Sequence, residues 1–266
     1  QGPGILLKLF VNEQSPEGRG ISLSYSKPNI HSVTPKSGST TGGALLDIRG
    51  DNFGCSLTEN NELLTGTFCG GGQEVRLVPN TNKFPEEQYG ILNSYNCASP
   101  NVLDHKHIQC TVAPGEGKLM SALVEASSLQ SDLHEDAFTY SRAVIYSLTP
   151  NKTSPTSGRH PETGDYLTYT IAGDNFGPPT LSTAYLELRC VNSSKFCEPD
   201  SSIRINKTKE WSKSHTEATF RIPEGVGHNL HLVIVVAGVP SEGAPFSYGA
   251  PSIMSVSPAT GPTDGC

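Results

Sequence analysis

The chain is poor in charge. Asp and Glu number 26 against 19 Lys and Arg, together 17% of 266 residues, for a formal net charge of −7. Binding nucleic acid through phosphate neutralisation needs a basic face. No Lys/Arg run here exceeds two residues, so no nucleic-acid partner is expected. Long apolar runs are missing too. The longest, Leu230–Val239, is interrupted by His231 and Gly238. It falls far short of the ~20 apolar residues that cross a bilayer, so direct membrane insertion is not expected. The seven cysteines form no CxxC pair, which removes the spacing of zinc ribbons and thioredoxin-like sites. There is no G-x-S-x-G, no H-E-x-x-H and no Gly-rich phosphate loop leading into a helix. No catalytic residue, cofactor-binding residue or metal ligand is therefore assigned, and no cofactor is expected. No window carries a helical apolar stripe. Gln1 opens without a Met or a basic leader, which reads as a piece of something longer.

Turn formers are abundant: Gly 27 and Pro 20, with 35% hydrophobic residues. Between the Gly, Pro and Asn clusters lie short stretches alternating with period two. These include Ala44–Arg49, Val75–Val78, Ile108–Val112, Tyr166–Ile171 and Ala218–Ile222, the pattern of half-buried strands.

The chain also repeats itself. Residues 29–54 (NIHSVTPKSGSTTGGALLDIRGDNFG) and 144–177 (VIYSLTPNKTSPTSGRHPETGDYLTYTIAGDNFG) share an aliphatic start, a Thr-Pro turn and an identical GDNFG. Residues 252–265 (SIMSVSPATGPTDG) repeat the start alone. The segments preceding these starts, 4–28, 117–142 and 227–251, each run from an apolar strand through a polar turn to a strand ending in Tyr25, Tyr140 or Tyr248. The boundaries read as 1–27, the C-terminal part of a preceding repeat; 28–142, a full repeat with an insertion near 80–100; 143–249, a second full repeat; and 250–266, the start of a further one. About seven short strands in ~110 residues suits an immunoglobulin-like sandwich. Neither repeat has the Cys…Trp…Cys core of a true immunoglobulin domain, because the single Trp211 lies in a polar stretch.

The starts IHSVTPKSGSTTGG and LLDIRGDNFG, with the later stretch from Cys97 to HIQCTVAPGEG, resemble the IPT/TIG domain shared by plexins and transcription factors. The resemblance implies an all-β fold: tandem immunoglobulin-like (IPT/TIG) sandwiches arranged end to end. In style it is nearest to fibrocystin-like arrays on large cell-surface proteins. The sequence departs from the family pattern in its insertion, in the enlarged turn TSPTSGRHPETGD, and in lacking counterparts of Cys97 and Cys110 in the second repeat.

GDNFG reads as a structural turn, formed by Asp51, Asn52, Phe53 and Gly54 and by Asp174, Asn175, Phe176 and Gly177. Asp/Asn side chains satisfy turn amides, Gly admits positive φ and Phe plugs the core. A calcium site would need six to eight oxygens, and no DxD-type cluster adjoins either motif. Neighbouring cysteines suggest the disulfides Cys55–Cys69, Cys97–Cys110 and Cys190–Cys197, although four cysteines in one repeat allow two other connectivities. Cys266 is left unpaired within the fragment. The pair His105 and His107 could chelate zinc if both sat on a strand, but Lys106 between them and a turn-like context favour a solvated loop. Three sequons, at Asn151, Asn192 and Asn206, together with locally paired cysteines, point to an oxidising, extracellular or cell-surface location with N-linked glycans.

The function expected is a non-catalytic extracellular interaction or adhesion module, a semi-rigid segment of a large surface glycoprotein or receptor ectodomain. It would contact a protein partner or another copy of itself. The alternative is a structural subunit of an extracellular filament, appendage or surface coat. An accessory domain of a carbohydrate-active enzyme ranks third. The insertion at 80–100 is the candidate contact surface.

Overall fold

The computed structural model describes residues 5–7, 21–54, 58–59, 62–63, 72–80, 83, 94–151, 153–180, 183–190, 202–205 and 212–260. Cys55, Cys69, Cys197, Cys266, Asn192, Asn206, Trp211 and most of the insertion lie outside the described residues. The protein is all-β, and every described element is a strand or a turn.

Two hydrophobic cores follow one another along the chain. In the first unit the strand Leu45–Asp51 points Leu46 and Ile48 inward and leaves Leu45 exposed. It pairs antiparallel with Asn29–Thr34 on one side and His107–Thr111 on the other, and Ala98–Asp104 completes that sheet. The facing sheet is built around Met120–Ala126, flanked by His134–Tyr140 and Glu74–Val78. Burying one apolar face from each sheet closes the sandwich at about 25 cal/mol per Å² of apolar surface. The disulfide Cys97–Cys110 joins two segments of this unit, and both sulfurs sit in its core.

The second unit repeats the plan. Val144–Thr149, Thr168–Asp174, Glu217–Arg221 and Ser212–Lys213 form one sheet. Ser202–Ile205, Tyr185–Cys190, Leu230–Val236 and Val239–Pro240 form the other, with Ala244–Phe246 on a branch. Tyr169, Ile171, Phe220, Leu186 and Ile234 fill the space between. The longest apolar run has a structural reason: Val233 and Val235 are buried as well as Leu232 and Ile234, which alternation turns the opposite way. Cys190, at the end of its strand, is disulfide-bonded.

Three features recur in both units. First, Tyr140 Oη donates to the Ala113 carbonyl at 2.8 Å and Tyr248 Oη to the Pro223 carbonyl at 2.9 Å. Burial pushes the Tyr248 phenol up to about 12, and it drives Tyr140 up further. Second, the glycine that opens each GDNFG lies against the first strand. A Cβ at Gly50 would collide with the Asn29 carbonyl oxygen, and one at Gly173 with that of Val144. Third, Thr34-Pro35 and Thr149-Pro150 are cis, as is Ser257-Pro258 in the later segment.

The structure differs from the sequence reading in two places. The strand read from Tyr166 starts at Thr168. Tyr166 instead lies under the Arg159 guanidinium, 3.7 Å from its ring centroid, with that of Arg221 at 4.6 Å. His107 is not in a solvated loop. It opens the strand His107–Thr111, is buried, and bonds Asp47 Oδ2 through Nε2 at 2.5 Å. Burial alone would raise the Asp47 carboxyl, but hydrogen bonds from Gln109, His107 and Arg49 outweigh it and hold the group below its ordinary value.

Candidate functional site: the junction between the sandwiches

The site starts from the GDNFG turns. Asn52 and Asn175 take the left-handed conformation, with φ of 63° and 60°, and Gly54 and Gly177 follow at 97° and 81°. Asn tolerates this region better than most residues and Gly adopts it freely. Each turn swings its Phe into the core, and Phe53 and Phe176 are fully buried. The Phe amide then closes onto a neighbouring turn: Phe53 N donates to the His105 carbonyl and Phe176 N to the His215 carbonyl. The Asp carboxylate is held by the third residue of the first strand. Asp51 pairs with His31 at 3.2 Å and Asp174 accepts from Tyr146 Oη at 2.5 Å.

With Phe176 and Asp174 thus committed, Asn175 reaches into the first unit. Its Oδ1 accepts from Ser39 Oγ at 3.0 Å and from the Thr40 backbone amide at 3.1 Å. Thr40 Oγ1 and His215 Nδ1 lie 3.1 Å apart, a hydrogen bond. Thr40, a polar residue in a turn, is 0% exposed as a result. In the first unit the counterpart Asn52 is exposed, and its Nδ2 donates to the Lys27 carbonyl at 3.2 Å.

Beside this contact, Glu116 reaches the other way. It is 1% exposed, and its Oε1 accepts from the Thr183 amide at 2.5 Å. Thr183 Oγ1 in turn accepts from the Ala237 amide at 2.9 Å. A carboxylate removed from water needs such partners to offset its lost hydration. The connecting segment adds a further contact, from Arg142 Nε to the Pro240 carbonyl at 2.5 Å. Lys27, one repeat earlier, similarly meets Asp132 in the unit that follows it, at 2.6 Å. A cleft of about 500 Å³ sits against the junction, with Glu116, Lys118, Tyr140, Arg142, Val236 and Pro240 among its walls.

The arrangement is a set of hydrogen bonds that joins the two units. Each net hydrogen bond contributes roughly 0.5–1.5 kcal/mol and charged ones more. Among the described residues, no group of three or more His, Cys, Asp or Glu lies together to hold a metal. Nor, among the described residues, is any helix long and apolar enough to cross a membrane. Of the residues singled out in the sequence, Asn175 stands at the junction, Asn151 is exposed, and Cys97 and Cys110 are joined. Ser39, Thr40, Glu116, Thr183 and His215 were not picked out. Ser39, Thr40, Thr183 and His215 lie in Ser/Thr-rich turns and Glu116 between two glycines, and nothing in a turn names its distant partner.

The likeness of this unit to known domains is specific. Residues 28–141 match the family model of the IPT/TIG domain. The all-β fold, with its several sheets, is that of immunoglobulin-like IPT/TIG sandwiches. Among solved structures, a surface glycan-binding protein from Prevotella bryantii is similar at 14% identity, covering 85% of this chain and 43% of that one, with a TM-score of 0.41. SGBP-B from a xyloglucan utilization locus in Bacteroides uniformis is similar at 16% identity, covering 84% and 49%, with a TM-score of 0.28. The plexin A4 extracellular region is similar at 16% identity, covering 88% and 20%, with a TM-score of 0.29. The chain thus spans half or less of the length of these structures. No curated protein gave a match.

Proposed function

We propose that the chain is a non-catalytic, extracellular interaction segment whose units are held at a fixed angle, so that its loops are presented as one surface. The observation that carries this reading is the sealed contact of Thr40 with Asn175 and His215, reinforced by Glu116 with Thr183. A chain that only tethers gains nothing from burying a threonine and a glutamate between its units. A chain that presents spaced contact faces does.

The insertion near 80–100 is the proposed contact surface for a protein partner. The extracellular location rests on the Cys97–Cys110 disulfide and on the exposed sequon at Asn151. N-linked glycans on the second unit would leave the first open to contact. The test is peptide mapping of the secreted protein without reduction, followed by cell binding to beads coated with it. Cys97–Cys110 joined, Asn151 glycosylated, and binding lost on deletion of residues 84–93 support the reading. Free thiols and a bare Asn151 would overturn the location, and undiminished binding would overturn the contact surface.

A further inference from the structure

The cleft beside the junction is walled by residues that the matching places elsewhere in the chain do not share. One wall is the turn after Leu230–Val236, where Val236 pairs with Val239. The first unit forms the same turn after Met120–Ala126, where Ala126 pairs with Leu129. Ser131 and Ser241 each accept from the strand in the same way, from the Val124 and Ile234 amides, which fixes the correspondence residue by residue. In the first unit Ser127, Ser128 and Gln130 are exposed and polar. Their counterparts are Ala237, Gly238 and Pro240. Val236, Ala237, Val239 and Pro240 line the cleft, so that wall carries no polar side chain.

The cations differ as well. Lys27 and Arg142 both stand two residues past a matching tyrosine, Tyr25 and Tyr140. Lys27 is neutralised at 2.6 Å by Asp132, the residue after Ser131. The matching acid, after Ser241, is Glu242. Arg142 does not pair with it. Its Nε donates to the Pro240 carbonyl instead, and among the described residues its guanidinium meets no carboxylate. Lys118, from the first unit, also lines the cleft; it is exposed and has no hydrogen-bond or ion-pair partner among the described residues. Glu116 is the one acid among the described lining residues, and its Oε1 is held by the Thr183 amide. The walls thus carry two cations against one anion, in a chain whose net charge is −7.

We propose that this cleft binds a small carboxylate with an apolar body. Arg142 and Lys118 hold the carboxylate, and the body lies along the Val236–Pro240 turn. The Arg142 Nη groups supply paired donors, the geometry that matches a carboxylate, and Lys118 adds a point charge. At about 500 Å³ the cleft has the size of a small-ligand site, and such sites favour the seams between domains. Its walls come from both units and from the segment that joins them. An occupant therefore gains all its contacts only while the units keep theirs, so binding and the fixed orientation favour each other. The inference rests on the fixed junction of the proposed function, and not on the contact surface at 80–100.

The test is a titration of the full chain followed by amide NMR. 4-Methylpentanoate serves as a free small acid, N-acetyl-leucine as the end of a peptide chain, and 4-methylpentanamide as the uncharged control. Small-angle scattering is recorded on every variant. Both acids are expected to shift the amide signals of Lys118, Ala143 and Val239 in a saturable way, and the tighter of the two names the source. Lys118→Gln alters no hydrogen bond of the junction. It should leave the scattering profile unchanged and weaken both acids about tenfold, the worth of one charged hydrogen bond. Val239→Ser should weaken them too, through the apolar wall. Absence of any shift at these residues, with scattering that fits a single arrangement, would overturn this proposal alone. So would the uncharged control binding as tightly as the acids, or acids that bind Lys118→Gln undiminished. Scattering of the unaltered chain that requires freely rotating units would overturn the fixed junction, and the site with it.

Discussion

The side-chain oxygen of Asn175 accepts a hydrogen bond from the backbone amide of Thr40, 3.1 Å away and 135 residues earlier in the chain. The residue that caps a turn in one sandwich thus completes a turn in the other. The left-handed backbone at Asn175 aims the carboxamide outward while Phe176 anchors the turn from within.

The junction can be loosened without touching either core. Asn175→Ala removes the acceptor for two donors, and Thr40→Val removes the hydroxyl that meets His215. Each is expected to cost roughly 1–2 kcal/mol at the junction while leaving the two hydrophobic clusters intact. Amide hydrogen exchange checks this: protection should fall at Thr40 and around His215, but not at Ile48 or Phe220.

The GDNFG glycines are demanded by space. Gly173→Ala would push a methyl group into the Val144 carbonyl and against the Phe176 ring. A destabilisation of about 3 kcal/mol is expected, read from the denaturant midpoint. Gly43→Ala, at a residue with open space around it but a φ of 85°, should cost less, about 1 kcal/mol.

Reducing the Cys97–Cys110 bridge removes a cross-link spanning 13 residues. For a loop of that size the constraint on the unfolded chain amounts to about 3 kcal/mol. The Cys97→Ser, Cys110→Ser double variant is expected to unfold at a lower temperature in the first unit, with the second unit's transition unchanged in calorimetry.

Tyr248 gives a pH signature. Burial, with Tyr169 nearby, raises its phenol from 10.0 to about 12. The fold favours the protonated form, so this stabilisation is complete below pH 10 and is lost as pH rises through about 12. Ultraviolet titration should show Tyr140 and Tyr248 ionising only as the sandwiches open. Tyr248→Phe should remove one late-titrating group and cost about 1–2 kcal/mol, because the Pro223 carbonyl loses its donor.

How far the sequence carried the fold depends on the range of each interaction. Strands such as Leu45–Asp51 were legible because alternation is a local consequence of burying one face. The buried Phe of GDNFG was legible because Gly and Asn before a lone aromatic mark a turn onto a core. His107 was misjudged because Lys106 suggested solvent, while Asp47, its partner, is 60 residues away. The junction was not legible at all. Thr40, Glu116 and His215 look like ordinary surface residues until the two units bring their turns together.

The two sandwiches are expected to hold one orientation. Small-angle X-ray scattering of the unaltered protein, compared with the Asn175→Ala, Thr40→Val variant, tests it most directly. A single arrangement of the two sandwiches is expected to fit the unaltered profile, and the variant to need a spread of orientations. An unaltered profile that already requires freely rotating units, indistinguishable from the variant, would contradict it.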